Sequence, residues 1–267
     1  MSSEHPANES PSLSIDGAVA TLQLRRPKRA HRIETADLEV LREHLQALRS
    51  RASSVRAVIL TASGPIFSAG YDIGSVLATL QAGARSDDAP PTNAFAEFVD
   101  AWEALPQTTI CALNGSVYGG STDLALACDF RLGVPATRLS MPAARLGLHY
   151  YPSGLRRYCS RLGLNAAKRL FLLAEEVDAQ ELLRIGYLDA IVSADELLPR
   201  ALEIAQRAAA TAPLASTGMK ASLNAIADGS FDARACARAE LACLQSADIR
   251  EGVAAWQERR IPQFSGA

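Results

Sequence analysis

Apolar residues recur at two different spacings along the chain, and each spacing predicts a different kind of element. Between Ile15 and Leu24 they alternate with other residues beside the pair Asp16-Gly17, a pattern typical of two short strands joined by a turn. The segment Thr35–Arg51 places leucines three or four positions apart, which predicts an amphipathic helix. The β-branched run Val55–Leu60 then predicts a buried strand.

The succession of strand, turn and helix is repeated further along the chain. Thr109–Leu113 is an apolar run that predicts a strand, Ser121–Cys128 follows as a predicted helix, and Phe130–Val134 as a third strand. Such alternation predicts an α/β domain with its active residues in the loops that follow the strands. Three further helices are predicted near the C-terminus: Pro199–Ala210, Pro213–Asp228 and Phe231–Gln245.

The predicted elements divide the chain into three parts. Residues 1–12 are polar and contain proline, which predicts a disordered tail. Residues 13–198 form the predicted α/β core, and residues 199–267 form a helical C-terminal region. Within the core, Gln81–Thr92 is rich in Ala, Gly, Asp and Pro, and we expect it to be a mobile loop beside the substrate site.

Two glycine-bearing turns are the main candidates for chemistry. Phe67–Asp72 lies between a predicted strand and a helix near Ile73, for which Asp72 is the predicted N-cap. Asn114–Gly120 lies between the next strand and helix. Glycine allows the backbone to approach a ligand closely and to direct N–H groups towards it. Two such turns facing each other can hold a carbonyl oxygen as it becomes an oxyanion, and losing one donor of this kind costs about 10²–10³ in rate.

Composition excludes several other classes of protein. The charges sum to 27 − 29 = −2 and the pI is about 6.1, which argues against a dedicated nucleic-acid-binding protein. The five cysteines form no CxxC pair and no zinc spacing, so no metal site is expected, and Cys111 and Cys128 are predicted to be reduced core residues. The N-terminal residues lack a signal-peptide pattern, and no apolar run approaches the roughly 20 residues of a membrane span. We therefore expect a cytoplasmic protein.

Several motifs in order along the chain resemble those of one family. They are Arg26-Pro27-Lys28, Phe67–Ile73, Leu113–Gly115 with Gly119–Ala125, Cys128–Phe130, Leu139–Pro142, Leu146–Leu148, Pro152–Arg157 and Trp256–Arg260. Together they resemble the crotonase superfamily, which includes the enoyl-CoA hydratases and isomerases. The resemblance covers roughly Leu13 to Phe264.

The resemblance implies a fold, an assembly and a substrate class. The implied α/β fold is a crotonase-like spiral of β-β-α repeats with a C-terminal helical trimerisation region, in a homotrimer or a dimer of trimers. The implied substrate is an acyl-CoA thioester, so coenzyme A enters as part of the substrate and no separate cofactor is expected. The amides of Tyr71 and Gly120 are the implied catalytic oxyanion hole. The residues expected to contact coenzyme A are Arg25, Lys28, Ala69, Gly70, Asp72, Ile73, Arg260 and Phe264.

The sequence departs from the family pattern at both acid–base positions. Hydratases of the family use two glutamates, and the corresponding places hold Asp123 and Ala143 here. Alanine cannot transfer a proton, and aspartate reaches about one methylene less far than glutamate. Ordinary two-glutamate hydration is therefore not expected.

Other residues near the same positions are alternative candidates for proton transfer. Tyr151 occupies the place where some family isomerases and dehalogenases carry a carboxylate, and His149 lies close to it in sequence. Either residue can act as an acid or base, or merely line the pocket. Asp123 is either catalytic or a carboxylate that caps a helix or lies on its surface. His31 stands where the family often has asparagine, and we expect a structural role for it.

Three hypotheses about function follow. The first is an enoyl-CoA lyase or isomerase in which Asp123, assisted by His149 or Tyr151, moves a proton next to the thioester. The second is thioester hydrolysis, C–C cleavage or decarboxylation through the same oxyanion hole. The third is a non-catalytic acyl-CoA-binding subunit.

Overall fold

The computed structural model describes residues 9–74 and 93–267. Its strands are β1 Ser12–Asp16, β2 Val19–Leu24, β3 Ala57–Ala62, β4 Ile66–Ser68, β5 Thr108–Leu113, β6 Ser116–Tyr118, β7 Phe130–Gly133, β8 Arg138–Ser140, β9 Val177–Asp178 and β10 Ala190–Ile191. Its helices are α1 Thr35–Ser50, α2 Ala94–Glu103, α3 Gly120–Leu126, α4 Pro152–Leu162, α5 Leu164–Leu172, α6 Ala179–Arg184, α7 Ala194–Ala209, α8 Pro213–Asp228, α9 Ala233–Gln245 and α10 Ala247–Glu258.

The strands form two sheets that the chain visits alternately. The larger has the order β1-β2-β3-β5-β7-β10, and the smaller has the order β4-β6-β8-β9. Only the β1–β2 and β8–β9 pairs are antiparallel in these sheets as described. The successions β5-β6-α3 and β7-β8-α4 each supply one strand to each sheet and then a helix. The predicted spiral of β-β-α repeats is thereby confirmed.

The interior lies on both faces of the larger sheet. All six residues of β3 are buried, as expected for a parallel strand covered on both sides. On one face, α1 buries four leucines, Leu38, Leu41, Leu45 and Leu48, each contributing about 1.5–3 kcal/mol relative to exposure. On the other face, Ile59, Ile110 and Leu132 of the sheet pack with Leu197 and Ala201 of α7.

The helices α8 and α9 contribute no residue to the buried core. Their exposed apolar side chains are Leu214, Met219, Leu223, Ile226, Leu241 and Leu244. A helical C-terminal region was expected and is found, with α10 as a further helix after the three predicted ones.

The structure corrects several predicted boundaries. Ser12 pairs with Gln23 in β1, so the predicted tail 1–12 overlaps the first strand, while residues 1–8 lie outside the described part. Helix α7 begins at Ala194 and not at Pro199, because Ser193 and Glu196 form a capping box there, and Pro199 lies inside the helix. The two glycine turns also contain strands, β4 and β6, since each supplies a strand to the smaller sheet.

Helix α2 was missed at the sequence level. It begins at Ala94, and its N-cap Asn93 accepts hydrogen bonds from the amides of Phe95 and Ala96. The preceding segment Gln81–Thr92, predicted to be a mobile loop, lies outside the described residues.

Candidate active site

The two glycine-bearing turns come into backbone contact. Gly70 has a φ of +97°, and a Cβ added to it would lie 2.7 Å from the carbonyl oxygen of Tyr118 and 3.2 Å from the amide nitrogen of Gly120. A side chain of any size would push the turns apart, and an L-residue rarely adopts this φ. Glycine at position 70 is therefore what allows the two turns to meet.

A pair of buried serine hydroxyls joins the same two turns. The Oγ atoms of Ser68 and Ser121 lie 2.7 Å apart, and both residues are fully buried. Ser68 Oγ also accepts a hydrogen bond from the amide of Gly70 at 3.1 Å. Since a buried hydroxyl without a partner is costly, this pair favours one fixed spacing of the turns.

At this junction, the backbone amides of Tyr71 and Gly120 have no acceptor among the described residues. Gly120 is the first residue of α3, whose initial N–H groups have no intrahelical acceptor. Ile33 pairs with the peptide groups on either side of Tyr71, donating to Gly70 O at 2.9 Å and accepting from Asp72 N at 2.8 Å. In such a bridge the amide of Tyr71 itself points to the other side. Two N–H groups are thus available for a carbonyl oxygen.

Four aromatic rings, here called the aromatic wall, pack beside these amides: Tyr71, Phe95, Tyr150 and Tyr151. Phe95 stacks on Tyr71 with ring centroids 5.1 Å apart and meets Tyr151 edge-on at 6.4 Å. Tyr150 stacks on Tyr151 at 4.2 Å. The Cε1 atom of Phe95 lies only 2.8 Å from where a Cβ of Gly120 would be, so the wall closes directly on the second turn.

Asp123 lies one helical turn after Gly120 and is fully buried. Its Oδ2 accepts hydrogen bonds from the hydroxyl of Tyr151 and from Nη1 of Arg157, each at 2.5 Å. Its Oδ1 has no partner among the described residues. The alternative of a surface carboxylate is wrong, because the side chain points into the protein beside the aromatic wall.

Burial determines the protonation of this pair. It raises the pKa of the Asp123 carboxyl, although the charge of Arg157 and the hydrogen bonds from Tyr151 and Arg157 oppose the rise. It also raises the pKa of Tyr151 well above its ordinary value, and the nearby Tyr150 and Asp123 add to the effect. The proton therefore stays on the phenol, and Tyr151 donates to the Asp123 carboxylate.

Arg157 joins the site to helix α2. Its side chain is fully buried, and its Nη2 donates to Asp100 at 2.7 Å and to Glu103 at 3.0 Å. Burial opposes the charged guanidinium, but Asp123 and Glu103 raise its pKa above the ordinary value, so it remains a cation. One guanidinium thus connects α2, α3 and α4, and places a positive charge in direct contact with Asp123.

The other predicted acid–base residues have different surroundings. Ala143 is buried at the start of a 3₁₀ turn, Ala143–Leu146. His149 is exposed, and its Nδ1 lies 2.8 Å from the carbonyl oxygen of Tyr150. The structure thus brings Tyr151 to Asp123 but leaves His149 outside the described hydrogen bonds of that carboxylate.

The residues predicted to contact coenzyme A fall into two groups, of which the first is near the turns. Ala69 and Gly70 lie within the first turn, and its neighbour Ile73 is 43% exposed. Asp72 lies 3.2 Å from Arg32 in an ion pair. Arg25 donates to the carbonyl of Ser10 at 3.0 Å, and Lys28 is exposed in the 3₁₀ turn Pro27–Arg29.

The second group lies at the other end of the larger sheet. The carbonyl of Phe264 accepts from Arg56, just before β3, whereas Arg25 follows the last residue of the parallel strand β2. A strand of this length separates its ends by about 17 Å. Arg260 is bound by Glu251 at 2.6 Å and by Glu258 at 2.6 Å. Within one chain, Phe264 and Arg25 therefore lie at opposite ends of the larger sheet.

Sequence reasoning missed the roles of Arg157 and Phe95. Arg157 was part of the motif Pro152–Arg157, but a basic residue followed by Tyr158 and Cys159 gives no sign that its side chain is buried. Phe95 was hidden because its helix follows a segment without periodic pattern. The available signal was the apolar spacing Phe95, Phe98, Val99 and Trp102.

Neither a metal-binding cluster nor a membrane-spanning helix is found in the described part of the chain. Residues 9–74 and 93–267 contain no group of three or more His, Cys, Asp or Glu side chains that could hold a metal ion. No helix within the same ranges has the length and apolar character needed to cross a membrane.

Comparisons with known proteins agree with this fold. The short-chain-enoyl-CoA hydratase of Clostridium acetobutylicum is 28% identical over 251 residues, which are 93% of this chain and 94% of that protein. The crotonyl-CoA hydratase of Syntrophomonas wolfei is 29% identical, over 94% of this chain and 96% of that protein. The crystal structure of enoyl-CoA hydratase from Bacillus anthracis has a TM-score of 0.82 at 28% identity, over 97% of this chain and 100% of that one.

A second solved structure and a family model extend the agreement. The enoyl-CoA hydratase/carnithine racemase of Magnetospirillum magneticum has a TM-score of 0.85 at 27% identity, over 96% of each chain. The model of the enoyl-CoA hydratase/isomerase family matches residues 14–267, which include both glycine turns, Asp123 and the C-terminal helices. The chain therefore belongs to the enoyl-CoA hydratase/isomerase family of the crotonase superfamily.

Proposed function

We propose that this acyl-CoA enzyme binds the thioester carbonyl between the amides of Tyr71 and Gly120 and moves a proton at the neighbouring carbon with Asp123. The observation that carries the proposal is that the two carboxylate oxygens of Asp123 differ in their hydrogen bonds. Oδ2 is held by Tyr151 and Arg157, whereas Oδ1 has no partner among the described residues. A carboxylate held by one oxygen keeps the other for exchange with a substrate.

The enolate is the intermediate that such an arrangement favours. Loss of a proton from the carbon next to a thioester places negative charge on the carbonyl oxygen. Two amides directed at that oxygen stabilise the developing charge, and each donor is worth about 10²–10³ in rate. The buried Asp123 has a raised pKa, which brings a carboxyl closer to the pH at which it can both accept and return a proton.

Tyr151 supports proton transfer without supplying the proton. Its pKa is raised well above 10, so its phenol is a weak acid and is poorly matched to transfer near neutral pH. Its hydrogen bond favours the ionised form of Asp123 and fixes the orientation of the carboxylate. We therefore assign Asp123 as the acid–base group and Tyr151 as the residue that orients it.

Isomerisation is favoured over hydration because the proposed site has one acid–base group, Asp123. Moving a double bond from the 3- to the 2-position needs one group that removes a proton at C2 and delivers it at C4. Adding water needs a second group to activate the water, and the place of the second family glutamate holds Ala143. Related proteins are named as hydratases, so hydration is the reaction against which the assignment must be tested.

The decisive experiment compares 3-hexenoyl-CoA with crotonyl-CoA, following the absorbance of the conjugated enoyl thioester. We expect the absorbance to appear with the first substrate faster than it disappears with the second. Asp123→Asn should reduce the isomerase rate at least about 10³-fold, since the acid–base group is lost. The control is Asp100→Asn, which also removes a carboxylate from Arg157 but leaves Asp123 intact. Equal turnover in Asp123→Asn and wild type would refute the assignment.

Binding without turnover is the second candidate function. It is favoured by one observation, the complete burial of Asp123 behind the aromatic wall. In that case 3-hexenoyl-CoA and crotonyl-CoA should bind with measurable heat in calorimetry, yet neither should be converted. Conversion of either thioester would exclude this candidate.

We also propose that the chain assembles as a trimer through α8 and α9. The proposal rests on family membership and on the apolar side chains that these helices leave exposed in one chain, among them Met219 at 61% and Leu223 at 65%. Sedimentation equilibrium should give three times the chain mass of 28.4 kDa, or six times if trimers pair. A monomer mass at micromolar concentration would contradict it.

A further inference from the structure

His31 lies at a strained corner of the backbone. Ala30 and His31 adopt φ values of +46° and +50°, so two consecutive residues other than glycine are left-handed. Such a conformation persists only where the surroundings enforce it, and it concentrates at functional sites. His31 is buried, at only 2% exposed, whereas Ala30 is partly exposed.

The imidazole of His31 uses both ring nitrogens to hold this corner. Nδ1 accepts a hydrogen bond from the amide of Arg26 at 2.9 Å, and Nε2 lies 2.5 Å from the carbonyl oxygen of Ser63, to which it donates. This pattern requires the neutral tautomer with its hydrogen on Nε2. Burial lowers the pKa of His31, the bond to Ser63 opposes this, and the charge of Arg26 lowers it further, so the neutral ring is favoured.

The first glycine turn is hydrogen-bonded to the same corner. The carbonyl of Ala30 accepts from the amide of Ala69 at 2.7 Å, and the carbonyl of His31 accepts from the hydroxyl of Ser68 at 2.8 Å. Two residues further, Ile33 pairs with the peptide groups on both sides of Tyr71. The position of the Tyr71 amide therefore depends on a corner whose conformation depends on His31.

We infer that His31 is a positioning residue for the oxyanion hole, acting through the left-handed corner to place the amide of Tyr71 opposite that of Gly120. The inference rests on the proposed role of these amides but concerns a different residue. His31 touches no reacting atom, so its effect is on the placement of one donor. A displaced donor should weaken binding of an enolate more than binding of coenzyme A itself.

Two variants separate positioning from general packing. His31→Leu fills the buried volume but provides neither hydrogen bond. His31→Asn keeps an acceptor for the Arg26 amide, and asparagine tolerates the left-handed conformation. If the His31→Leu protein does not fold, His31→Ala is used in its place. Alanine also lacks both hydrogen bonds and is smaller than leucine.

The first measurement is hydrogen exchange of the peptide that contains Ala69 to Asp72, which needs no ligand. We expect exchange at least about tenfold faster in His31→Leu, near wild-type exchange in His31→Asn, and no change in the peptide from α7, Ala194–Ala209. Equal exchange in wild type and His31→Leu would overturn the inference.

The second measurement uses acetoacetyl-CoA, whose enolate has a near-ultraviolet absorbance band. His31→Leu should lower the affinity for acetoacetyl-CoA relative to that for coenzyme A by about tenfold or more, and His31→Asn should restore most of the ratio. An unchanged ratio in His31→Leu counts against the inference. A wild-type protein that binds both ligands without any enolate band would instead refute the proposed oxyanion hole, while hydrogen exchange still decides the role of His31.

Discussion

The buried contact between Asp123 and Arg157 makes a quantitative prediction about the pH dependence of the reaction. The substitution Arg157→Gln removes the only charged group that donates to Asp123 among the described residues. Burial then raises the pKa of the carboxyl without an opposing cation. Catalysis by the ionised carboxylate is present above its pKa and is lost as the pH falls through that value. The acid limb should therefore move to higher pH.

The size of the shift follows from the geometry. An opposite charge in direct contact lowers a carboxyl pKa by about one to three pH units, and Arg157 Nη1 lies 2.5 Å from Oδ2. The acid limb of Arg157→Gln should thus rise by about the same amount, and at a pH below both limbs its rate should be lower than that of wild type by about 10- to 1000-fold. Removing one partner of a buried pair also costs about 3–5 kcal/mol of folding free energy.

The assay is the dependence of kcat/KM on pH for isomerisation of 3-hexenoyl-CoA. Arg157→Lys keeps a positive charge and should move the limb less than Arg157→Gln. Arg161→Gln is the matched control, because Arg161 donates to Glu103 and to two backbone carbonyls but not to Asp123. That control should lose stability and keep the wild-type limb. Coincident acid limbs in wild type and Arg157→Gln would refute the reasoning.

Three further predictions concern the turns and the aromatic wall. Tyr151→Phe removes the hydrogen bonds to Asp123 and from Tyr150, so it should lower kcat about 10- to 100-fold and cost about 1–3 kcal/mol of folding free energy, whereas unchanged kcat would leave Tyr151 as packing only. Phe95→Ala opens space beside Gly120 and should raise the kcat/KM ratio of 3-decenoyl-CoA to 3-hexenoyl-CoA, a ratio that would stay constant if Phe95 did not limit the acyl group. Gly70→Ala forces a Cβ to within 2.7 Å of Tyr118 O and should lower kcat at least about 10²-fold. Gly17→Ala, at a positive φ with nothing within 4 Å, controls for backbone strain alone and should leave kcat unchanged.

Most strands of the larger sheet could be predicted from local pattern, but the two-residue strand β10 was not. The strands β2, β3, β5 and β7 are continuous or alternating apolar runs, and a parallel sheet covered on both faces produces such runs. The strands of the smaller sheet have two or three residues, fewer than a period needs to be recognised. Two of them, β4 and β6, were therefore assigned to the glycine turns, although their pairing brings those turns together, and β8 and β9 were not predicted.

The candidate site likewise contains some residues that the sequence predicts and others that it does not. The two glycine turns were found because a close backbone approach needs glycine, and the family resemblance then implied the amides of Tyr71 and Gly120. The burial of Asp123 and its contact with Arg157 depend on residues 34 positions apart that meet only in the folded chain. No local pattern distinguishes an arginine inside the protein from one on a helix surface.

The absence of a carboxylate at position 151 is physically linked to the burial of Asp123. A carboxylate at position 151 would lie against Oδ2 of Asp123, and two like charges at that distance would raise the pKa of the pair strongly. Tyrosine at the same position donates a hydrogen bond and carries no charge, so it favours ionisation of the buried group. Arg157 supplies the remaining stabilisation from the other side. Among the described residues, no charged group of the same sign touches Asp123, and a single carboxylate placed in this way can accept one proton from a substrate carbon and return it.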